Sequence, residues 1–418
     1  MTARTTSPTD SARALLRERD YVVFLTARAL GVLGTVVQSV TMGWHIYELA
    51  RAGSGVAESA LYVGLLGLAT FLPLFFLALP AGVVADRYSR KLVLITCFIA
   101  EAVCAGALVA AAVLNLLSVR VLIGIAFAFG IARAFRAPAG VALAPMLVPK
   151  VLLPRAIAWN SLAFQLGTIT GPALAGLLVG RWSSAHSYAV SVGLYLAAVV
   201  GLAFIVKPTT PEAKPGSRLA LVKEGLTYIR DNKVVLGAIS LDLFAVLLGG
   251  ATALLPAFAR DVLDVGAEGF GLLRSAPAMG AAAVTLVLAT RPIRRHAGRA
   301  MFTGVAIFGA ATVVFGLSQV FWLSFGALVI LGGADMVSVY VRQTLIQIVT
   351  PDPMRGRVAA VSFLFIGASN ELGEFESGVT ARLLGPVLAA VLGGVASLTV
   401  TGLWARLFPA LRKVDRLE

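Results

Sequence analysis

The chemistry in this sequence lies in charged residues placed where charge is costly. Asp242, in Ser-Leu-Asp-Leu-Phe, stands well inside a long apolar run, as do Glu371, Glu374 and Glu376 in Asn370-Glu-Leu-Gly-Glu-Phe-Glu-Ser-Gly. Glu101, Arg133, Arg136, Asp335 and Arg342 are set in the same way within other runs, and Gln38 adds a neutral polar group. An ionisable side chain at bilayer depth costs about 3 kcal/mol or more unless it is paired or faces water. Each of these residues therefore either closes an ion pair between helices or forms a place where a proton or a substrate is exchanged. Glu371 and Glu374 are three residues apart and share a helical face, so one of them must hold a proton or meet an arginine.

Other chemistries are excluded by what these residues lack around them. No nucleophile–base–acid set and no phosphate-binding loop are visible, and the stretches outside the apolar runs are too short for a catalytic domain. His45, His186 and His296 are far apart, and Cys97 and Cys104 sit seven residues apart on one predicted helix. That spacing is about 10 Å along the helix axis, beyond disulfide reach. The expectation is a protein that is not an enzyme and has no metal site or cofactor.

The elements that position these charges follow from composition. The chain has 418 residues, 58% hydrophobic and 13% charged, with mean hydropathy +0.89. No single soluble core hides that much apolar surface, so the bilayer is the solvent. The net charge of +14 sits in the gaps between apolar runs, which is a mark of topology and not of nucleic-acid binding. Spans of about 20 apolar residues predict an all-α integral membrane protein of twelve helices: 22–49, 59–83, 91–115, 119–141, 156–180, 186–206, 234–258, 267–290, 300–318, 320–347, 357–382 and 384–406. Alternate gaps hold most of the Arg and Lys, and Arg51, Arg120, Arg181, Arg260 and Arg382 stand singly in the opposite ones. Both termini are therefore expected in the cytoplasm, with no cleaved leader in the polar stretch that carries Arg4, Arg13, Arg17 and Arg19.

The expected organisation is a cytoplasmic segment 1–21, a six-helix bundle 22–206, a linker 207–233, a second bundle 234–406 and a tail 407–418. The linker opens with Pro208, Pro211 and Pro215 and continues as an amphipathic stretch through Leu219, Leu221, Val222, Leu226 and Ile229, expected to lie on the inner membrane surface. A shift of 204 residues relates the halves, taking Gly67 to Gly271, Pro73 to Pro277, Arg87 to Arg291, Arg90 to Arg294, Lys91 to Arg295 and Gln38 to Asp242. Two pseudo-symmetric bundles with a substrate site between them near the midplane follow from such a repeat, with Gln38 and Asp242 facing each other across it.

Several stretches carry a family resemblance. Ala81-Gly-Val-Val-Ala-Asp-Arg-Tyr-Ser-Arg-Lys, with Gly82, Asp86, Arg87, Arg90 and Lys91, resembles the signature loop between helices 2 and 3 of the major facilitator superfamily. Gly167-Thr-Ile-Thr-Gly-Pro-Ala-Leu-Ala-Gly, with Gly171, Pro172 and Gly176, is similar to that superfamily's exporter motif, and is also what close helix packing requires. Arg136 with Gly140 resembles its helix 4 motif, with Pro138 as a departure and Arg133 as a second candidate. Gly43-Trp-His-Ile-Tyr-Glu-Leu, Ala132-Arg-Ala-Phe-Arg-Ala-Pro-Ala and Ser369-Asn-Glu-Leu-Gly-Glu-Phe-Glu-Ser-Gly resemble the enterobactin-exporter-like branch, the transmembrane secretion effectors.

That resemblance implies a monomeric exporter of the bacterial cytoplasmic membrane, working by alternating access and driven by proton antiport. Its substrate would be a small amphipathic molecule such as a siderophore, an antibiotic or another metabolite. An importer or facilitator of the same fold is the alternative. Asp86, Arg87 and Arg90 would latch an inner gate. Gln38, Asp242, Asn370, Glu371, Glu374, Asp335, Arg133, Arg136 and Arg342 would supply proton coupling or line the substrate cavity.

Overall fold

The computed structural model describes residues 14–210 and 218–416, and every regular element among them is helical. The expectations resting on Arg4, Arg13, Pro211 and Pro215 lie outside the described residues. The long helices are α1 (Arg19–Arg51), α2 (Val56–Arg87), α3 (Arg90–Val113), α4 (Val119–Leu147), α5 (Leu153–Arg181) and α6 (Ser184–Ala203), then α7 (Lys233–Gly249), α8 (Gly266–Thr290), α9 (Ala297–Leu317), α10 (Phe321–Val349), α11 (Asp352–Leu384) and α12 (Pro386–Leu407). Eleven segments among the described residues are long and apolar enough to cross a membrane. α11 is not one of them, although its 33 residues exceed a bilayer's thickness, because its carboxylates lower its apolarity.

Two expectations change. The run 234–258 is not one helix: α7 stops at Gly249, and Ala251–Leu254, Leu255–Ala257 and Phe258–Val262 continue as a 3-10 turn, an α turn and a π turn. Pro256 lacks an amide hydrogen and Gly250 tolerates the bend, while the Ser377 hydroxyl donates 2.7 Å to the carbonyl that the break exposes at Gly250. The linker stretch forms a helix over Arg218–Asp231, but the face bearing Gly225 and Ile229 turns to protein. Ile229 joins a cluster with Val235, Ile239, Val358 and Val361, and Glu224 forms an ion pair with Arg357. Asn232 then caps α7, its side-chain oxygen accepting from the amides of Val234 and Val235 at 3.1 Å each.

Contacts divide the chain into two compact units. The first is Met1–Thr41, Leu72–Leu117 and Gly124–Pro215, and the second is Met42–Phe71, Ser118–Ile123 and Gly216–Glu418. In the first unit α5 lies against α1 where Gly167 and Gly171 meet Val32 and Val36; an added Cβ at either would come within 2.6 Å of a valine methyl. In the second, Gly64 and Gly67 of α2 approach α11 at Gly378, Phe375 and Glu374, and α8 and α10 cross through Gly280, Gly332 and Pro277. Helices in lipid gain little from burying apolar surface against each other, so close contact of small residues supplies the packing energy.

Several helix ends follow the same shift of 204 residues. Adding 204 to the end of α2 at Arg87 gives 291, one beyond the end of α8 at Thr290. The same shift takes the starts of α4 and α6, 119 and 184, to 323 and 388, each two beyond the starts of α10 and α12 at 321 and 386.

The α8–α10 crossing gives a direct test. An alanine methyl at Gly332 would strike the Pro277 carbonyl, whereas nothing lies within 4 Å of the same methyl at Gly326 in the same helix. Gly332→Ala is expected to destabilise the protein by about 1–3 kcal/mol. Gly326→Ala should be neutral or stabilising, by up to about 1 kcal/mol. Thermal unfolding of the two purified variants in detergent measures the difference.

Candidate functional site

The first unit holds a polar centre inside its helix packing. Glu101 of α3 is completely buried and accepts from Arg136 Nε of α4 at 2.7 Å, with the Thr35 hydroxyl of α1 at 3.4 Å from its other oxygen. Nearby, Tyr195 of α6 donates to the side-chain oxygen of Gln38 at 2.9 Å and its ring stacks on Phe98 with centroids 6.2 Å apart. Gly31 and Gly34 of α1 leave room for those two rings. Arg136 also lies over the Phe98 ring, 5.6 Å from its centroid, and Arg133 over Phe129 at 5.7 Å. Gln38 has no exposed surface, and its bond to Tyr195 anchors α1 to α6.

A second centre lies in the second unit. Asp242 of α7 and Arg342 of α10 are both buried and form an ion pair. Asp335, about two turns before Arg342 on α10, is close enough for both partners to act on its charge. Two acids and one guanidinium thus lie within electrostatic reach of one another.

The acids of α11 have partners of their own. Glu374 accepts from Arg274 of α8 at 3.0 Å and from the Thr252 hydroxyl at 3.0 Å. Its other oxygen faces Gly67, with Glu371 slightly farther from that glycine. Glu376 accepts from Thr380, one turn on, at 2.7 Å, and Asn370 is exposed. Glu371 and Glu374 therefore share a face as the spacing predicts, and the arginine that the pair calls for comes from α8.

The C-terminal end of α1 meets the π turn after α7 in a reciprocal set of charges. Arg51 donates to Asp261 from Nε and a terminal nitrogen at 3.1 and 2.9 Å, Tyr47 donates to the same carboxylate at 2.5 Å, and Arg260 pairs with Glu48 at 2.8 Å. Arg51 and Arg260, read from the sequence as isolated cations, are thus both neutralised. A π turn shifts side chains out of the α-helical row, which helps to bring the adjacent Arg260 and Asp261 to two different partners.

The charged hinge is a set of helix caps. Arg90 donates to the carbonyls of Ala142 at 2.6 Å and Ala85 at 3.3 Å. Lys91 donates to those of Ala203 and Ile205 at 2.9 and 2.7 Å. Both cations sit where helices α2 and α6 end, at the negative pole of the helix dipole, and Arg90 also reaches the last two turns of α4. Asp86 acts on the charge of Arg90, Gly82 is buried and Arg87 is exposed. Pro172 and Gly176 are buried with Gly167 and Gly171. Among the described residues no group of three or more His, Cys, Asp or Glu could hold a metal ion.

Sequence reasoning missed Arg28, Arg274, Thr252 and the Tyr47–Glu48–Asp261 set. The rule that singled out Asp242, a charge deep in an apolar run, applies equally to Arg28 and Arg274 and would have found them. The outer members of the reciprocal set carry no such signal, because a charge at a helix end is ordinary.

Comparison with known proteins adds the lineage. The sequence matches the family described as transmembrane secretion effector over residues 10–418. It is 27% identical over 385 residues to the enterobactin exporter EntS of Citrobacter koseri, covering 91% of this chain and 86% of that one. The Shigella boydii protein of the same name is 26% identical with the same coverage. The fold is similar to a bacterial homologue of the human lysosomal transporter Spinster, with TM-score 0.73, 14% identity and coverage of 95% and 99% of the two chains. It is also similar to a D-xylose–proton symporter, with TM-score 0.69, 11% identity and coverage of 95% and 99%.

The Asp242–Arg342 pair should behave as a buried ion pair does. Arg342→Met leaves Asp242 uncompensated and is expected to cost about 3–5 kcal/mol, while Asp242→Asn with Arg342→Met together should recover much of that loss. Melting temperatures of the two variants, purified side by side, decide it.

Proposed function

We propose that this chain, which belongs to the transmembrane secretion effector family, exports a small amphipathic organic molecule across the bacterial cytoplasmic membrane by proton antiport and alternating access. It is a multi-pass membrane protein and not an enzyme. Siderophores are within the proposed range because the relatives EntS are named enterobactin exporters.

The proposed topology has twelve spans in two six-helix halves, 22–206 and 234–406, with both termini in the cytoplasm and the monomer as the working unit. The matching helix ends at a shift of 204 residues support the two halves. The spacing of Arg and Lys supports the orientation. α11 can serve as the twelfth span because Glu374 is compensated by Arg274, which reduces the charge it brings into the bilayer.

The observation that carries proton coupling is the trio in which Asp335 stands beside the buried pair of Asp242 and Arg342. One guanidinium compensates one carboxylate, so the second carries a proton whenever the trio is closed from water. Opening the trio to water on either side lets that proton leave, and a conformational change that alternates access moves it across. The reciprocal charges at the end of α1 and after α7 are the proposed outer latch: they form in one state and part in the other. The hinge caps at Arg90 and Lys91 hold the inner ends of α2, α4 and α6 together as one moving body. Glu371 and Glu374 remain candidates for substrate or proton contact beside them.

Two experiments test this. Asp335→Asn and Asp242→Asn should each abolish accumulation driven by a pH gradient in everted vesicles, yet keep gradient-independent substrate exchange in proteoliposomes. Gradient-driven transport that survives in both variants removes the trio from coupling. For the latch, Glu48→Arg places like charges beside Arg260 and should lower transport several-fold, and adding Arg260→Glu should restore most of it; an unrestored double variant denies the pairing a role in the cycle.

A further inference from the structure

The polar centre of the first unit is not electrically balanced. Glu101 compensates Arg136. Arg28 and Arg133 have no ion-pair partner among the described residues, although each lies within electrostatic reach of one member of that pair: Arg28 of Arg136, and Arg133 of Glu101. All lie at depth. Arg28 is nine residues beyond Arg19, Glu101 eleven beyond Arg90 and Arg136 eleven before Leu147, which puts each about 14–16 Å from its helix end.

These guanidinium groups are placed as a group. Arg133, Arg136 and Gly140 follow one another about every turn along α4. Gly140 has no side chain where a terminal nitrogen of Arg28 approaches: a Cβ there would lie 3.0 Å from it. Arg28 Nε is buried with no hydrogen-bond partner, while the residue as a whole, like Arg133, is only partly buried. An arginine held at bilayer depth with a donor unmet is costly, and the cost is removed by an acceptor that arrives with a negative charge.

We infer that Arg28 and Arg133, with Arg136 behind them, form the recognition site for an acidic group on the exported molecule, which makes the substrate an organic anion with an apolar body. A guanidinium fork matches carboxylate or sulfonate oxygens, and the two uncompensated positive charges repel a cationic drug. Phe98 and Phe129 are buried beneath Arg136 and Arg133 and hold these two guanidinium groups in place. This rests on the export reading, and the two fail separately.

The test uses the full chain with two xanthene dyes of similar shape and opposite charge, 5-carboxyfluorescein and rhodamine 6G. Fluorescence anisotropy with purified protein in neutral detergent measures binding with no gradient present. The anionic dye is expected to bind at least tenfold more tightly than the cationic one. Arg28→Gln and Arg133→Gln should each weaken the anion about tenfold and leave the cation unchanged or improved. Arg28→Lys should retain part of the affinity, and melting temperatures near that of the parent protein separate lost binding from lost fold. Binding of neither dye, binding indifferent to charge, or an anion affinity unmoved in both glutamine variants overturns the inference. So does displacement of the anionic dye by phosphatidylglycerol but not by excess 5-sulfosalicylate, which assigns the site to a lipid headgroup. Anion binding with no flux in proteoliposomes leaves this inference standing and defeats export, whereas export of rhodamine 6G alone does the reverse.

Discussion

The pairing of carboxylate with guanidinium inside hydrocarbon is the constraint from which the rest of the structure follows. Water is absent from the bilayer core, so a lone charge there is answered by the protein or not at all. Glu101 with Arg136 joins α3 to α4, Asp242 with Arg342 joins α7 to α10, and Glu374 with Arg274 joins α11 to α8. Each bond fixes the rotation of two helices about their own axes, since turning either one by a residue moves a charge into lipid. What apolar packing leaves undetermined in a membrane, these pairs determine.

Charged contacts need close helices, and the small residues supply them. Gly64 and Gly67 bring α2 onto α11 beside Glu374, and Gly373 lets α11 lie against the carbonyls of Val246 and Leu247 where α7 ends. The break after Gly249 then frees a carbonyl that Ser377 satisfies and lets Thr252 reach Glu374. One glycine-rich neighbourhood therefore serves both packing and electrostatics. A larger side chain there would harm the pairing as much as the fold.

How much of this was legible depends on which physical term set it. Except at the end of α7, helix ends fall within about six residues of the apolar runs because transfer of backbone into lipid decides them. The interruption after α7 was hidden because Gly250 and Pro256 sit inside a continuous apolar stretch, where hydropathy does not report backbone geometry. Candidate charges such as Asp242, Asp335 and Arg342 were visible one by one, but their grouping was not, since partners come from helices far apart in sequence. The hinge shows the opposite case: its residues were recognised, and their bonds to the carbonyls of Ala142, Ala203 and Ile205 give Arg90 and Lys91 a capping role that spacing alone does not express.

The two buried centres differ in sign, and that difference bears on mechanism. In the first unit three guanidinium groups meet one carboxylate, an excess of two positive charges; in the second, two carboxylates meet one guanidinium, an excess of one negative charge. A proton is therefore suited to one centre and an anion to the other. A proton neutralises the second centre, and an anionic group lowers the first from two excess positive charges to one, which reduces the cost of each in low-dielectric surroundings. The proposed antiport needs the reverse of simple co-loading: the carrier must turn over with either ligand bound but not with both, so the proposed coupling resides in the movement of the helices that carry the centres and not in any direct attraction between proton and anion.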